Sequence, residues 1–340
     1  MIAVVDSLQL TVTDVIEESV DARSLVFAVA EGSPFEYRPG QFLTLRVPDG
    51  SGAAVARCYS LASSPHTDAA PKVTIKRVAG GYGSNWLCDN VTTGHVIESL
   101  PPSGAFTPAD LDRDLLLWAG GSGITPVMSI LKSALAVGSA QVTLVYANRD
   151  ERSVIFAGEL RALADQYPDR LTVVHWLETV QGLPRRQHMT ALARRFGTGE
   201  AYLCGPAPFM AEVQTALSDA GYPRDTVHTE VFRSLTGDPF AEVAPIDTTE
   251  DAVELQVDLD GREHRLRWPR QATLVDAMLA SGLDVPYSCR EGHCGSCAAT
   301  LISGRVDMPA TDILEPEDIA DGTILGCQAR PSSDDVHIEF

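Results

Sequence analysis

The spacing of four cysteines near the C-terminal end constrains this chain more than any other feature. Cys289, Cys294 and Cys297 lie within the stretch YSCREGHCGSCAAT, and Cys327 follows after 29 intervening residues. Three thiols from one short loop, with a fourth from a distant position, can converge on one point only if the backbone folds closely around it. Gly292 lies in this loop, and glycine permits the tight dihedral angles that such a wrap requires.

Four kinds of site can contain clustered cysteines, and the spacing discriminates among them. A structural zinc site usually takes two short Cys or His pairs, but here there is one C-x-x-C. A thioredoxin-like pair belongs at a strand-to-helix turn, whereas Cys294 and Cys297 lie in a glycine-rich loop beside a third cysteine. Seven cysteines is an odd number, and a reducing cytosol disfavours structural disulfides. Four residues separate the first two cysteines, two residues separate the second and third, and the fourth cysteine is distant. This is the spacing of plant-type 2Fe–2S ferredoxins, and it predicts an iron–sulfur cluster.

Length and charge bound the rest of the chain. A chain of 340 residues is expected to form two or three domains. The net charge of -20 argues against nucleic-acid or anionic-membrane partners, whose phosphates would repel it. No apolar run is long enough to span a membrane, and the N-terminal MIAVVDSLQLTV lacks a basic region. We therefore expect a cytoplasmic protein without stable membrane association.

The chain divides into segments that differ in their pattern of strand-like and helical runs. Residues 1–110 alternate short strand-like runs, such as QFLTLRVPD and PKVTIKRVA, with glycine and proline turns, which predicts an antiparallel β-barrel or a sandwich. Residues 111–235 alternate apolar strands with helical runs, as in DLLLWAG followed by PVMSILKSALAVG. This pattern predicts an α/β domain with a parallel sheet and ligand sites at the carboxyl ends of its strands.

The C-terminal part begins after a stretch without periodicity. Residues 236–251, TGDPFAEVAPIDTTED, are predicted to be an interdomain linker. Residues 252–340 open with a hairpin signal around Asp260–Gly261 and continue with a short helix and the cysteine loop. This segment resembles a plant-type ferredoxin domain of the α+β, β-grasp class over its whole length.

Two features of the first segment favour a flavin site. In RCYSLASSP, Arg57 has the forked donors that suit a diphosphate, Tyr59 can lie flat against an aromatic ring, and Ser60 can hydrogen-bond the same ring. In KRVAGGYGSNWL a glycine turn leads into a helix N-terminus, which is an anion site; its residues are Gly81, Gly83 and Ser84. An ordinary hairpin with a capped helix remains the alternative interpretation.

The second segment has a glycine turn of the kind that binds nucleotides. In LLLWAGGSGITPVMSIL a buried strand runs through glycines into a helix, where phosphate or nicotinamide can approach the backbone. The full G-x-G-x-x-G fingerprint is absent because a proline occupies the last glycine position. The candidate residues are Gly121, Gly123, Thr125 and Pro126, with Cys204, Gly205 and Pro206 at a later strand end. A buried structural cysteine is the alternative for Cys204.

These motifs together resemble the ferredoxin–NAD(P)H reductase superfamily, whose flavin barrel carries R-x-Y-S and G-x-x-S. Its nucleotide domain carries G-x-G-x-x-P and C-G-P and ends near E-x-F, here Glu230 and Phe232. The order flavin, nucleotide, ferredoxin is that of reductase components of Rieske oxygenases and of phenylacetyl-CoA epoxidase-type reductases. The stretches YGSNWLCDN, YANRDERSVIF and HWLETVQGLP look most like the steroid-catabolism subfamily that serves 3-ketosteroid 9α-hydroxylases. Only resemblance, and no physical argument, points to a steroid.

The resemblance implies a role for each flavin-site residue. Arg57 and Ser84 would hold the FAD diphosphate. Tyr59 would pack on the isoalloxazine and Ser60 would approach its N5 atom. Lys76 falls where family members contact flavin through the backbone. FAD is favoured over FMN by the later G-x-x-S motif.

The resemblance also implies the nicotinamide site. Gly123 and Thr125 would line the nicotinamide pocket, and Cys204 and Glu230 would lie close to nicotinamide C4. Together with Ser60 these are the expected catalytic residues, which position and polarise and do not act as nucleophiles.

The expected function follows from electron counting. A nicotinamide gives two electrons as hydride, a cluster accepts one at a time, and a flavin can do both. The chain is expected to pass electrons from NADH through FAD and 2Fe–2S to a terminal oxygenase, best matched by a Rieske-type 3-ketosteroid 9α-hydroxylase. The reductase of another multicomponent oxygenase, a non-enzymatic electron relay and a zinc- or thiol-based structural protein are the rival interpretations.

Two further expectations concern specificity. The second nucleotide-domain strand ends with Arg149, Asp150 and Arg152, a mixed set that does not choose between a 2′-hydroxyl and a 2′-phosphate. The resemblance favours NADH. The segment DILEPEDIADG predicts an acidic docking face for a basic oxygenase surface near the cluster, with a solvated loop as the alternative. Its acidic residues are Asp312, Glu315, Glu317, Asp318 and Asp321.

Overall fold

Three sheets, one in each third of the chain, form the fold. The computed structural model describes residues 7–30, 35–49, 54–197, 199–241, 251–309, 311, 313–314 and 316–340. Within those ranges, no helix combines the length and the apolar character needed to cross a membrane.

The first sheet is an antiparallel barrel of six strands in the order β4-β3-β6-β1-β2-β5. A bridge between Leu61 and Val73 joins the two outer strands and closes the barrel. The predicted antiparallel β-barrel is thereby confirmed. Helix α1, Tyr82–Asn90, adds Leu87 to the barrel core. The strands are β1 Leu8–Ser19, β2 Ala22–Val29, β3 Phe42–Pro48, β4 Ala54–Ser60, β5 Lys72–Lys76 and β6 Val96–Ser99.

The second sheet is parallel, in the order β11-β10-β7-β8-β9, as predicted. Its strands are β7 Leu115–Gly120, β8 Val142–Asn148, β9 Leu171–Leu177, β10 Glu200–Cys204 and β11 Val227–Glu230. Helices α2 Ile124–Val137 and α3 Ala157–Gln166 cover one face, and α5 Arg186–Phe196 and α6 Ala207–Ala220 cover the other. The short helix α4, Glu178–Gln181, follows β9.

The order in which successive strands are added to the parallel sheet switches sides at β7, which has β8 on one side and β10 on the other. In such sheets a crevice opens at the carboxyl ends of the two strands where the order switches, and ligands bind there. The ends in question are Gly120 of β7 and Cys204 of β10. The fold therefore places both glycine-containing motifs of the second segment at the same crevice.

The third sheet is mixed, in the order β13-β12-β18-β14-β16, with β12 and β18 parallel. Helix α7, Leu274–Ala280, packs on it through Leu274 and Met278, which confirms the α+β prediction. Asp260 and Gly261 both have positive φ, as the hairpin signal required. The remaining elements are β12 Ala252–Leu259, β13 Arg262–Pro269, β14 Ala298–Ser303, β15 Val306–Asp307, α8 Pro316–Ala320, β16 Thr323–Leu325, β17 Arg330–Pro331 and β18 Asp335–Glu339.

The predicted linker, residues 236–251, is described in part. Residues 242–250 lie outside the described residues. Residues before them are in contact with the cysteine loop: the backbone N–H groups of Thr236 and Gly237 both donate to Glu291. Phe240 is buried against the barrel. The beginning of this segment is therefore part of the packed structure.

Helix α2 fastens the nucleotide domain to the barrel. The Ser129 hydroxyl donates to the carbonyl of Ser63 at 2.6 Å, and Ser133 shares a 2.8 Å hydrogen bond with Ser64. Lys132, which is 5% exposed, reaches Asp68 of the barrel at 2.6 Å and Glu159 of α3 at 2.8 Å. A buried ammonium between two carboxylates fixes the relative position of the two domains.

Replacing Lys132 with methionine should destabilise the junction, because Asp68 loses this cation and Glu159 is left with Lys72 at 3.1 Å. We expect a loss of about 3 kcal/mol, the low end for a broken buried ion pair, since both carboxylates are partly exposed. Thermal unfolding measures the effect. Arg161→Met on the exposed side of α3 is the matched control and should unfold like the wild type. Equal melting temperatures for the two variants would contradict this account of the junction.

Candidate functional site

The end of strand β4 and the start of helix α1 form a cationic cradle. A β-carbon on Gly83 would come within 2.9 Å of Arg57 Cγ, so glycine is required for the arginine to lie along the helix N-terminus. Arg57 Nη1 donates to the carbonyls of Ala56 at 2.7 Å and Leu235 at 3.3 Å. A guanidinium beside a helix N-terminus suits a diphosphate, so these residues fit the group that the sequence predicts.

The neighbouring side chains complete the barrel side of the site. Ser84 lies in the first turn of α1 after Gly81, and its hydroxyl accepts the backbone N–H of Val78 at 3.2 Å. Tyr59 is partly buried against the barrel core, and burial raises the pKa of its hydroxyl, which stays neutral. Ser60 is buried at the end of the same strand.

At the nucleotide-domain crevice, the ends of β7 and β10 are in close backbone contact. A β-carbon on Gly123 would lie 2.1 Å from the Cys204 carbonyl oxygen, and one on Gly205 would lie 3.0 Å from Gly120 Cα. A β-carbon on Gly120 would meet Pro206 at 2.8 Å. Side chains at these positions would force the strand ends apart, so the glycines are needed for close packing.

The rest of the glycine turn is held by its neighbours. Gly121 has φ +54, in the left-handed region, and its carbonyl accepts the Tyr146 hydroxyl at 3.0 Å. Thr125 is buried and donates to the carbonyl of Ser122 at 3.0 Å, next to Pro126 in the first turn of α2. Lys76 Nζ lies 3.4 Å from the position of a β-carbon on Gly121, so the end of barrel strand β5 contacts this turn through Lys76.

Ser60, Cys204 and Glu230 meet where the barrel faces the crevice. The Ser60 hydroxyl donates to Glu230 Oε2 at 3.3 Å, and Glu230 pairs with Cys204 across β10 and β11. Burial raises the pKa of Glu230 to about 8, partly offset by the Ser60 hydrogen bond. Burial also raises the pKa of the Cys204 thiol well above its usual value. The site thus contains a carboxyl that can hold a proton near neutral pH and a neutral thiol.

Four cysteine side chains meet at the cysteine loop, where Cys289 is in contact with Cys294 and Cys327, and Cys327 is also in contact with Cys297. Cys289, Cys297 and Cys327 are buried and Cys294 is half-buried. Backbone N–H groups of Glu291 and His293 both donate to Cys289 Sγ at 3.4 Å. The Cys327 N–H donates to Cys297 Sγ and the Gln328 amide donates to Cys327 Sγ, each at 3.4 Å.

The donor set fits a 2Fe–2S cluster. Thiolates surrounded by inward-facing N–H donors are the usual environment of such a cluster. Gly292 and Gly295 have φ of +77 and +72, and a β-carbon on Gly292 would lie 2.9 Å from Gln328 Cγ. Among the residues that the structure describes, no group of three or more His, Cys, Asp and Glu side chains is arranged to hold a metal ion. Each iron of a 2Fe–2S cluster needs only two protein ligands.

The cysteine loop contacts the barrel through side chains to which the sequence analysis assigned no role. Thr44 of β3 and Ser288 share a 2.8 Å hydrogen bond, and Thr44 lies 3.4 Å from the Cys58 sulfur. Burial raises the pKa of Cys58 to about 12, with Cys289 nearby. Strand alternation was the available signal for Cys58, because it places residue 58 on the face opposite Arg57. No local signal indicated Thr44 or Ser288.

The acidic segment lies beside the cysteine loop. Glu317, Asp318 and Asp321 are exposed on and just after α8, whereas Asp312 and Glu315 lie outside the described residues. Ile313 Cδ1 is 3.7 Å from the position of a β-carbon on Gly295. This contact places the start of the acidic segment next to the loop that carries Cys294 and Cys297.

Family comparisons divide the chain in the same way. Residues 9–107 match the oxidoreductase FAD-binding domain, residues 117–215 the oxidoreductase NAD-binding domain, and residues 257–332 the 2Fe-2S iron-sulfur cluster binding domain. The cofactors predicted from the motifs, FAD, a nicotinamide nucleotide and 2Fe–2S, are confirmed at the level of these domains.

Several proteins resemble the chain over its whole length. The "3-ketosteroid-9-alpha-monooxygenase, ferredoxin reductase component" of Rhodococcus rhodochrous is 61% identical, over 98% of this chain and 97% of the relative. The protein of the same name from Mycobacterium tuberculosis is 54% identical over 98% and 96%. A component of the 1,2-phenylacetyl-CoA epoxidase of Escherichia coli is 33% identical over 97% of each chain. A solved structure of phthalate dioxygenase reductase has the same fold, with TM-score 0.60 and 24% identity over 98% of each chain.

Replacing Glu230 with glutamine should change stability in a pH-dependent way. The folded-state pKa of Glu230 is raised to about 8 from an unfolded value near 4.5, so the folded form binds the proton more tightly. Wild-type stability therefore falls relative to the glutamine variant as pH rises from about 4.5 to about 8, and the difference is constant above that. Melting temperatures across this range measure it.

The exposed Glu317→Gln variant provides the control, and its difference from the wild type should not follow the same curve. A Glu230→Gln difference that stays flat, or that shrinks as pH rises, would show that the carboxyl is not held in its neutral form.

Proposed function

Because this chain belongs to the family of reductase components of multicomponent monooxygenases, we propose that it passes electrons from NADH to the oxygenase of a 3-ketosteroid 9α-monooxygenase. The observation that carries the choice of partner is the identity of 61% over almost the whole chain to a reductase of that name. The relative from an epoxidase system is 33% identical. Along the chain, the motif for FAD comes first, the motif for the nucleotide second and the motif for the 2Fe–2S cluster last, which is the order of reductase components of Rieske oxygenases.

Bound FAD would supply the conversion between the two-electron chemistry of NADH and the one-electron chemistry of a 2Fe–2S cluster. In the proposed arrangement, Arg57 and the α1 N-terminus with Ser84 hold the diphosphate. Tyr59 packs against the flavin ring, with Ser60 beside it. The proximity of Arg57 to Gly83 and the burial of Ser60 support these assignments.

The crevice between β7 and β10 would take the nicotinamide. The proposed lining is the glycine turn and the opposing strand end, namely Gly121, Gly123, Thr125, Pro126, Cys204, Gly205 and Pro206. Glu230 is proposed to hold a proton near the reacting atoms and to orient the Ser60 hydroxyl, which it contacts at 3.3 Å. The neutral, fully buried Cys204 thiol then shapes the pocket without acting as a nucleophile.

Cys289, Cys294, Cys297 and Cys327 are the proposed ligands of the cluster. Their support is the convergence of the loop and the backbone N–H groups that point at Cys289 and Cys297. Such hydrogen bonds to sulfur raise the reduction potential of a cluster by stabilising its negative charge.

The nucleotide is proposed to be NADH. Arg149 is engaged by Asp21 of the barrel at 2.7 Å, and the Asp150 carboxylate caps the N–H of Ser153 at 3.0 Å. An arginine that already pairs with a carboxylate is a poorer site for a 2′-phosphate than one without a counter-ion. This arrangement favours the 2′-hydroxyl of NADH.

The proposal is tested by reconstitution of the complete electron path. The purified holoenzyme is combined with a 3-ketosteroid 9α-monooxygenase oxygenase component, a 3-ketosteroid and either NADH or NADPH. We expect NADH oxidation coupled to formation of the 9α-hydroxylated steroid, with kcat/KM at least about tenfold higher for NADH than for NADPH. The epoxidase components with phenylacetyl-CoA serve as the matched alternative. Product formation only in the epoxidase system would refute the steroid assignment, and a preference for NADPH would refute the nucleotide assignment.

The oxygenase is further proposed to dock on the acidic segment beside the cluster. Glu317 and Asp321 are exposed there, and Ile313 contacts the cysteine loop, so a basic partner surface would approach the cluster. In the double variant Glu317→Gln/Asp321→Asn, the KM for the oxygenase should rise and its salt dependence should flatten. The control is Asp260→Asn/Glu263→Gln at the far hairpin of the same domain. A double variant that keeps the wild-type salt dependence would exclude this face.

A further inference from the structure

A buried polar contact joins the barrel to the cysteine loop. The Thr44 and Ser288 hydroxyls share a 2.8 Å hydrogen bond, and the two residues are 0% and 1% exposed. Ser288 immediately precedes Cys289. Thr44 lies on β3, next to β4, which carries the flavin-site motif. The two hydroxyls satisfy each other at a boundary where water has no access.

A second contact fastens the same loop from outside. Glu291 Oε1 accepts the backbone N–H and the hydroxyl of Thr236, both at 2.8 Å, and the N–H of Gly237 at 2.5 Å. Residues 235–240, here called the strap, also bury Leu235 and Phe240 against the barrel and Cys289. Glu291 therefore joins the strap, while its own backbone N–H donates to the Cys289 sulfur.

Contacts of this kind decide whether two domains of one chain move. Domains joined by a linker are expected to move relative to one another unless a packed interface prevents it. Separation of the loop from the barrel would open the Thr44–Ser288 pair and the apolar contacts of the strap together. The cluster ligand Cys289 lies between these two attachments, so they fix its distance from β4.

We propose that Thr44, Ser288 and Glu291 are positioning residues that keep the cysteine loop docked on the flavin-binding barrel, and that electrons enter the cluster from this docked arrangement. The step moves one electron from the reduced flavin to the oxidised cluster, and NADH supplies the flavin with two. The inference rests on the proposed electron path. It concerns transfer within the chain and is independent of which oxygenase accepts the electron.

Cys58 provides a built-in reporter of docking. Its thiol lies under the loop, in contact with the group formed by Leu235, Phe240 and Cys289. Cys58 is partly exposed in the docked structure, and undocking would expose its thiol further and speed its alkylation, whereas Cys88 and Cys204 are buried inside their own domains. Site-resolved mass spectrometry after a timed exposure to iodoacetamide therefore measures loop opening in the holoenzyme, and the two internal thiols report general unfolding.

The first test is Thr44→Val, which keeps the shape and removes one hydroxyl from the pair. Leaving the Ser288 hydroxyl without its partner should shift the docking equilibrium, and with it the Cys58 alkylation rate, by roughly 5- to 30-fold. In stopped-flow measurements, flavin reduction by NADH should keep its wild-type rate while cluster reduction slows. The electron paramagnetic resonance spectrum of the reduced cluster should be unchanged, since no ligand is altered.

Thr74→Val is a closely matched control. Thr74 is a buried barrel threonine whose hydroxyl shares a 2.7 Å hydrogen bond with Ser24, far from the loop. It should leave Cys58 alkylation and cluster reduction at wild-type levels. The proposal is overturned if Thr44→Val behaves like this control, or if it slows flavin reduction and cluster reduction to the same degree.

The double variant Thr44→Val/Ser288→Ala tests whether the effect of Thr44→Val comes from the unpaired Ser288 hydroxyl or from a general disturbance of the barrel. It removes both hydroxyls, so neither is left buried without the other, and Cys58 alkylation should fall back below the Thr44→Val rate. The 3.4 Å contact between Thr44 and the Cys58 sulfur is lost in both variants, so it does not contribute to the difference between them. Additive increases would overturn the paired role of the two hydroxyls.

Glu291→Ala tests the second attachment. Amide hydrogen exchange at Thr236 and Gly237 should accelerate, because both N–H groups lose their acceptor, and Cys58 alkylation should rise. Glu263→Ala, an exposed carboxylate of β13, is the control and should change neither measurement. If Glu291→Ala accelerates exchange in the strap without affecting Cys58, the strap does not hold the loop and this part of the proposal fails.

Discussion

One β-strand separates the flavin-site side chains from the cysteine loop, and the other parts of the site are arranged around it. Because side chains alternate along a strand, β4 directs Arg57 toward α1 and Cys58 toward the loop. The same strand ends at Ser60, which reaches Glu230 of the nucleotide domain. A single rigid element thus contacts all three domains, and a shift of β4 would disturb each of them.

The glycine motifs act mainly through exclusion of side chains. At Gly123 and Gly205 the backbones at the ends of β7 and β10 approach so closely that a β-carbon would clash with the backbone opposite. At Gly83 the missing side chain leaves room for Arg57. At these positions any side chain would clash, so only glycine fits. The glycine pattern is therefore visible in the sequence even when the contacting residues are not known.

The sequence predicted the local features well and the interdomain contacts poorly. Apolar runs and turn residues determined the three sheets, because periodicity is a local property of the chain. Ser60, Cys204 and Glu230 were singled out because each belongs to a motif. Thr44 lies in no motif, and Ser288 lies in the cysteine loop without a predicted role, since a threonine and a serine far apart in sequence give no sign that they will pair. Residues 236–240 of the strap were interpreted as part of a linker for the same reason: their contact with the cysteine loop depends on Glu291 of another domain.

The convergence of the three domains follows from where the parallel sheet ends. The last strand, β11, finishes at Glu230 on the carboxyl edge, where nucleotide sites form in sheets of this type. Whatever follows β11 must therefore begin beside that site. Residues 231–234 lead directly to Leu235 on the barrel, and Thr236 then meets the cysteine loop at Glu291. The ferredoxin domain follows this segment in the chain, so it begins close to the flavin-binding strand. The buried contact at Thr44 and the contacts at Glu291 then fix its position.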